Sequence, residues 1–196
     1  WHSKAYHRFF EGYSEFTAPT PNGKGYKIQR VYTGNTYRQD LTKGQRGLLR
    51  VLYVVLFVCA VYLFVSCAVL PLPSNSTWYV TLPQAVSLPF LCWIAIVFLS
   101  YIPAGLDMTI HGYRSSSLAL QKATLGTAIC LGVTALATLI FIMLNPSDEP
   151  LRVLRCTSSF FAGGLITLGM YWIERKVKYL IIPSQNHPPE DRVEIQ

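Results

Sequence analysis

"VLYVVLFVCAVYLFVSCAVLPLPSNSTWYVTLPQAVSLPFLCWIAIVFLSYI", residues 51–102, contains no Asp, Glu, Lys or Arg. A stretch of that length without charge is hard to keep in water and reads as membrane-embedded. The rest of the chain agrees with it. Charged residues make up 14% of the sequence and hydrophobic ones 51%, whereas soluble domains carry about 25% charged residues.

Working outward, four runs are long enough to cross a bilayer, which takes about 20 apolar residues per helix. They are 48–70, 82–102, 125–144 and 153–173. Backbone polar groups in lipid must be satisfied within the segment, so helices are expected. Pro71 and Pro73 close the first run, Pro103 and Gly105 the second, and "NPSDEP", 145–150, the third. Pro89, inside the second, should bend it. The expected fold is an all-α membrane protein: a four-helix transmembrane bundle, 48–174, with a small cytoplasmic N-terminal β-hairpin appendage.

Orientation follows from Lys and Arg. Before the first run stand Lys4, Arg8, Lys24, Lys27, Arg30, Arg38, Lys43 and Arg46, against Glu11, Glu15 and Asp40. The central loop adds Arg114 and Lys122, and the tail Arg175, Lys176, Lys178 and Arg192. The loop after the first run is uncharged; the loop after the third offsets Arg152 and Arg155 with Asp148 and Glu149. This places both termini in the cytoplasm of a cell-membrane protein, facing anionic headgroups. Trp78, Tyr79, Tyr113 and Trp172 fall where amphipathic rings favour the membrane interface. Asn75-Ser76-Thr77 forms a glycosylation sequon in the outer loop. The chain starts at Trp1, and what precedes it is left open.

Residues 1–47 divide into an aromatic, charged amphipathic segment suited to the interface and a hairpin. Asn22-Gly23 marks the turn. Tyr26, Ile28, Arg30 and Tyr32 alternate with Lys27, Gln29, Val31 and Thr33 in strand-favouring types. Residues 175–196 read as a cytoplasmic tail, disordered at its end. Topology already accounts for the basic excess, and no nucleic-acid module is present.

The central loop holds the one constellation with chemical interest: Asp107, His111 and Arg114. On a helix these share a face, and an Asp-oriented His base beside an anion-binding Arg would follow. The β-prone "MTIHGY" and Gly112 favour an extended connector docked on the hairpin, with Ser115–Ser117 capping the next helix. The loop also echoes the N-terminal segment at an offset of 76: Tyr37-Arg38 matches Tyr113-Arg114, and Thr33, Gln45 and Leu49 match Thr109, Gln121 and Leu125. That pattern suggests two parallel helix hairpins.

Small residues Gly126 and Cys130 on the third run, with Ser159, Gly163 and Gly164 on the fourth, predict close packing of the last two helices. No ionisable side chain falls at mid-depth in a run; Arg50 and Glu174 stand near cytoplasmic ends. Proton-coupled transport usually needs such a group. The five cysteines have no metal-ligand spacing, and no cofactor motif is present. A Cys67–Cys156 disulfide is one alternative to free packing thiols. The leading functional class is a non-enzymatic accessory or scaffold subunit with a homo-oligomeric or membrane-protein partner. A small transporter or channel is the alternative, and an enzyme using residues 107–114 is the third class.

Overall fold

The computed structural model describes residues 11–19, 26–145 and 150–183. It is mostly helical, with four helices long and apolar enough to cross a membrane and a few short strands. Strands β1 (Tyr13–Pro19), β2 (Tyr26–Tyr32) and β3 (Thr36–Gln39) precede helix α1 (Lys43–Ala68) and helix α2 (Trp78–Tyr101). Strand β4 (Asp107–Met108), helix α3 (Ile110–Leu144), helix α4 (Pro150–Lys176) and strand β5 (Tyr179–Ile182) follow.

The chain forms two compact units. One consists of residues up to Asp40, Ala104–Arg114, and residues from Lys178 onward; the other is Leu41–Pro103 with Ser115–Val177.

The second unit is the helical one. At about 1.5 Å per residue, each helix is longer than the roughly 30 Å of a hydrocarbon core. Each helix starts before the apolar run that predicts it. Helix α1 begins at Lys43 because Thr42 and Gln45 form a capping box: Thr42 Oγ1 accepts from the Gln45 N–H at 3.3 Å, and Gln45 Oε1 accepts from the Thr42 N–H at 3.0 Å. Its buried stripe, Arg46, Tyr53, Ala60 and Cys67, recurs every seventh residue, the spacing of a helix seam. Helix α2 runs unbroken through Pro83 and Pro89, and the Ser87 hydroxyl donates to the Pro83 carbonyl at 2.8 Å.

Helices α3 and α4 share the most extensive contact. A Cβ on Gly164 would lie 3.5 Å from the Ala128 carbonyl oxygen and 3.7 Å from the Gly132 nitrogen; one on Gly163 would lie 3.4 Å from Leu131 and 3.9 Å from the Ala60 carbonyl of α1. Gly126 has a different neighbour. A Cβ there would run into the Phe90 ring, so Gly126 accommodates α2 rather than α4. Cys130 and Ser159 are half-buried. Helices α1 and α2 meet through large rings instead, with Phe57 and Phe98 nearly perpendicular at 5.3 Å. Cys67 and Cys156 share one core cluster and stand as free thiols rather than as the alternative disulfide. Buried Thr124, Thr127, Thr134, Thr138 and Thr167 each donate to the carbonyl four residues earlier, which satisfies hydroxyls without a partner helix.

The first unit contains two small sheets. β1 and β2 form an antiparallel hairpin from Tyr13↔Tyr32 to Pro19↔Tyr26. Its Asn22-Gly23 turn lies outside the described residues, as does the amphipathic segment through residue 10. The strand starting at Tyr13 takes over the end of that expected segment. At the hairpin base Gly12 adopts φ 83°, a conformation costly for other residues, and its carbonyl accepts from Thr33 and Gly34 at 2.8 and 2.9 Å. The second sheet, in order β4-β3-β5, is antiparallel throughout. β3 and β5 were not expected; β4 keeps the first two residues of the expected extended connector, paired with β3 rather than with the hairpin. β5 shows that the tail is ordered at least to Ile182.

Candidate functional site

The central loop is neither fully extended nor a continuous helix. Asp107 and Met108 pair with Arg38 and Tyr37 as β4. Thr109 then caps α3, its Oγ1 accepting from the Gly112 N–H at 3.2 Å. The expected cap at Ser115–Ser117 is therefore wrong. Those serines lie in a π-helical turn, Arg114–Leu118, with Ser116 and Ser117 buried.

The Asp107 and Arg114 side chains have different partners. The Asp107 carboxylate lies 3.6 Å from Arg38 Nε, with both side chains about half exposed. Arg114 forks onto Glu11, at 2.5 Å from Nη1 and 3.4 Å from Nη2. His111 is exposed on the first helical turn. Tyr113 stacks face to face on Tyr37 at 4.8 Å and meets the edge of Tyr179 at 4.7 Å. Tyr32 donates to the Asn35 carbonyl at 2.7 Å and accepts from the Ile110 N–H at 3.0 Å. Gln39, almost fully buried, donates to the Tyr179 hydroxyl at 2.7 Å. The two Tyr-Arg pairs that echo each other in sequence thus meet ring to ring, and each arginine faces a carboxylate from another segment.

The most concentrated polar chemistry is elsewhere, in the helical unit. Glu174, the third residue from the end of α4, is completely buried. Its Oε2 accepts from the Tyr53 hydroxyl of α1 and the Tyr101 hydroxyl of α2, both at 2.9 Å. Its Oε1 accepts from the Ser117 hydroxyl of α3 at 2.5 Å. One carboxylate therefore gathers a hydroxyl from each of the other three long helices. Tyr53 and Tyr101 are themselves buried, in the apolar cluster of Ile94, Val97, Phe98, Leu120 and Met170. Arg46, 4% exposed, precedes Tyr53 by seven residues on the same α1 stripe. Hydrogen bonds to a charged group at low dielectric are strong, and such networks fix one arrangement.

At the α1–α2 junction, Asn75 of the sequon sits in a 3₁₀ turn, Pro73–Ser76. Its Nδ2 donates to the Cys67 and Leu70 carbonyls at 2.9 and 2.8 Å, and its Oδ1 accepts from Gln84 at 3.1 Å. The amide closes the end of α1, so glycan attachment would compete with that cap. Trp78 and Trp172 are exposed at helix ends, at 76% and 55%; Tyr79 and Tyr113 are half-buried. Among the described residues, no cluster of three or more His, Cys, Asp or Glu is placed to hold a metal.

No family model, no curated protein and no solved structure matches this chain.

Proposed function

We propose that the chain is a multi-pass integral membrane protein with both termini cytoplasmic, acting as a non-enzymatic accessory or scaffold subunit. The observation that carries this reading is the use made of the central loop. Asp107 faces Arg38, Arg114 is held by Glu11, and Tyr113 stacks on Tyr37 and meets Tyr179 edge-on. These groups knit three distant segments together rather than converging on one reacting atom, as general acid–base chemistry requires. The cytoplasmic module would present a surface to anionic headgroups, a second copy or a membrane-protein partner. Affinity purification in mild detergent tests this, with a stoichiometric protein partner or a defined oligomer as the expected result. A monomer that purifies alone and hydrolyses or transfers a substrate in a His111-dependent manner would overturn it. Topology is tested by membrane-impermeant labelling of intact cells carrying Tyr26→Cys or Ser76→Cys in a cysteine-free chain. Label at 76 and none at 26 is expected; the reverse sinks the orientation.

A second reading, a small transporter or channel, is favoured by Glu174. An ionisable group buried among membrane helices often marks a solute or proton path, and this one bonds to all three other helices. Reconstituted vesicles showing solute or proton flux, abolished by Glu174→Gln in a protein that still folds, would move the assignment to this class.

A further inference from the structure

We infer that strand β5 is a lipid-docking edge: Leu180, Ile181 and Ile182 enter the headgroup zone of the bilayer, and Lys176 and Lys178 meet anionic phospholipid phosphates. This rests on the membrane reading of the four helices.

Three observations carry it. The first is exposure. Leu180, Ile181 and Ile182 are 52%, 59% and 40% exposed, three consecutive apolar residues on an outer strand. Side chains alternate between faces along a strand, so both faces are open at this edge. Natural edge strands facing water are usually guarded by charge, proline or a bulge, because a bare apolar edge invites aggregation. Here Lys178 precedes the strand and Pro183 follows it, but none of its four residues carries a charge. The composition suits a zone that is neither water nor hydrocarbon.

The second is the tether. Only Val177 and Lys178 separate the end of α4 from Tyr179. Three residue steps reach at most about 10 Å. The polar headgroup layer is about 5–8 Å deep on each side of the hydrocarbon core. If α4 spans the membrane, the strand cannot begin far from that layer.

The third is charge complementarity. Lys176 and Lys178 are exposed, and neither has a carboxylate partner among the described residues. Arg175, also exposed, donates to the Tyr171 hydroxyl at 3.2 Å. Apolar residues flanked by basic ones are the pattern of an interfacial segment on an anionic leaflet.

The test uses the full chain in mixed phosphatidylcholine–phosphatidylglycerol vesicles, with an environment-sensitive fluorescent residue at position 181 or, as a control, at position 136 on α3. Leu136 is 62% exposed and far from either end of its helix. Lipids spin-labelled near the headgroup should quench position 181, and lipids labelled at the tail end should quench position 136. Lys176→Gln with Lys178→Gln, or vesicles of phosphatidylcholine alone, should cut the quenching at 181 severalfold. Position 136 quenched by lipid while 181 responds only to aqueous iodide would overturn the docking proposal and leave the membrane reading standing. Position 181 shielded from lipid and iodide alike would overturn it in favour of a covering protein surface. Quenching at 181 indifferent to both lysines and lipid charge would overturn the phosphate contact. If neither position is quenched by any lipid, the membrane reading fails, and the proposal with it.

Discussion

The two units are held together by opposite means. The helical unit buries rings, small residues and one carboxylate, and its strongest polar node is sealed from solvent. In the strand-containing unit, Gln39 and Met108 are buried, but the Arg38–Asp107 and Arg114–Glu11 ion pairs are about half exposed. Buried, fully bonded groups are costly to disturb, whereas exposed ion pairs contribute little. The helical unit should therefore be fragile to single substitutions at a few positions, and the other unit tolerant of most.

The largest effect is expected at Glu174. Replacing it with Ala strands three buried hydroxyls and should cost about 3–5 kcal/mol, the range for breaking a buried charged network. Tyr53→Phe and Tyr101→Phe should each cost about 1–2 kcal/mol and be non-additive, because they share Oε2. Denaturant unfolding in detergent micelles would measure this. A Glu174→Ala midpoint equal to that of the parent chain would remove the node from the comparison.

Gly163→Leu comes next. The side chain must enter the space between α4, Leu131 and the Ala60 backbone, and overpacking of this kind costs about 1–3 kcal/mol. Gly126→Ala should be milder, because its neighbour is the flank of the half-buried Phe90 ring, which can turn away. If Gly126→Ala proved the more damaging of the two, α2 rather than α4 would be the tight partner of α3.

Asn75→Ala should cost about 1 kcal/mol by releasing the carbonyls at the end of α1. In a glycosylating host, the parent chain should show no mobility shift on glycosidase treatment. A glycan on Asn75 in folded protein would contradict the cap.

The smallest effects belong to the other unit. Arg114→Ala should cost less than about 1 kcal/mol, and the loss should shrink as salt is added. His111→Ala should stay within about 0.5 kcal/mol. The sharper readout is local: Arg114→Ala should speed amide exchange across 105–113 while leaving α1 and α4 protected. Equal acceleration in both units would show that they do not differ in the way described.

These contrasts also explain what could be read from sequence. Apolar runs locate all four helices because burial in each depends on a local, repeated property. The early start of α1 was missed, although Thr42 and Gln45 stand at capping-box spacing. The strands β3 and β5 were not legible, and β4 only as an extended stretch without its partner. β3, β4 and β5 have four, two and four residues, too few for a pattern, and each exists only through a partner far away in the chain. Glu174 was visible as a residue near a helix end, but its burial depends on Tyr53, Tyr101 and Ser117, which no spacing connects. For the same reason the central loop drew attention to Asp107, His111 and Arg114, although their partners Arg38 and Glu11 lie in another segment.

The π turn at Arg114–Leu118 has a consequence for how this chain can change by insertion and deletion. A π turn holds one residue more than the α-helix around it. Removing one residue there would let the helix run on with regular α geometry and the turns on either side still in phase. The same deletion inside α1 or α4 would turn the rest of that helix by about 100° around its axis. A single-codon deletion in this turn that keeps Ser117 should therefore be tolerated better than one in either of those helices. In a library of such variants, this five-residue window should stand out as the place where the helix absorbs a change of length.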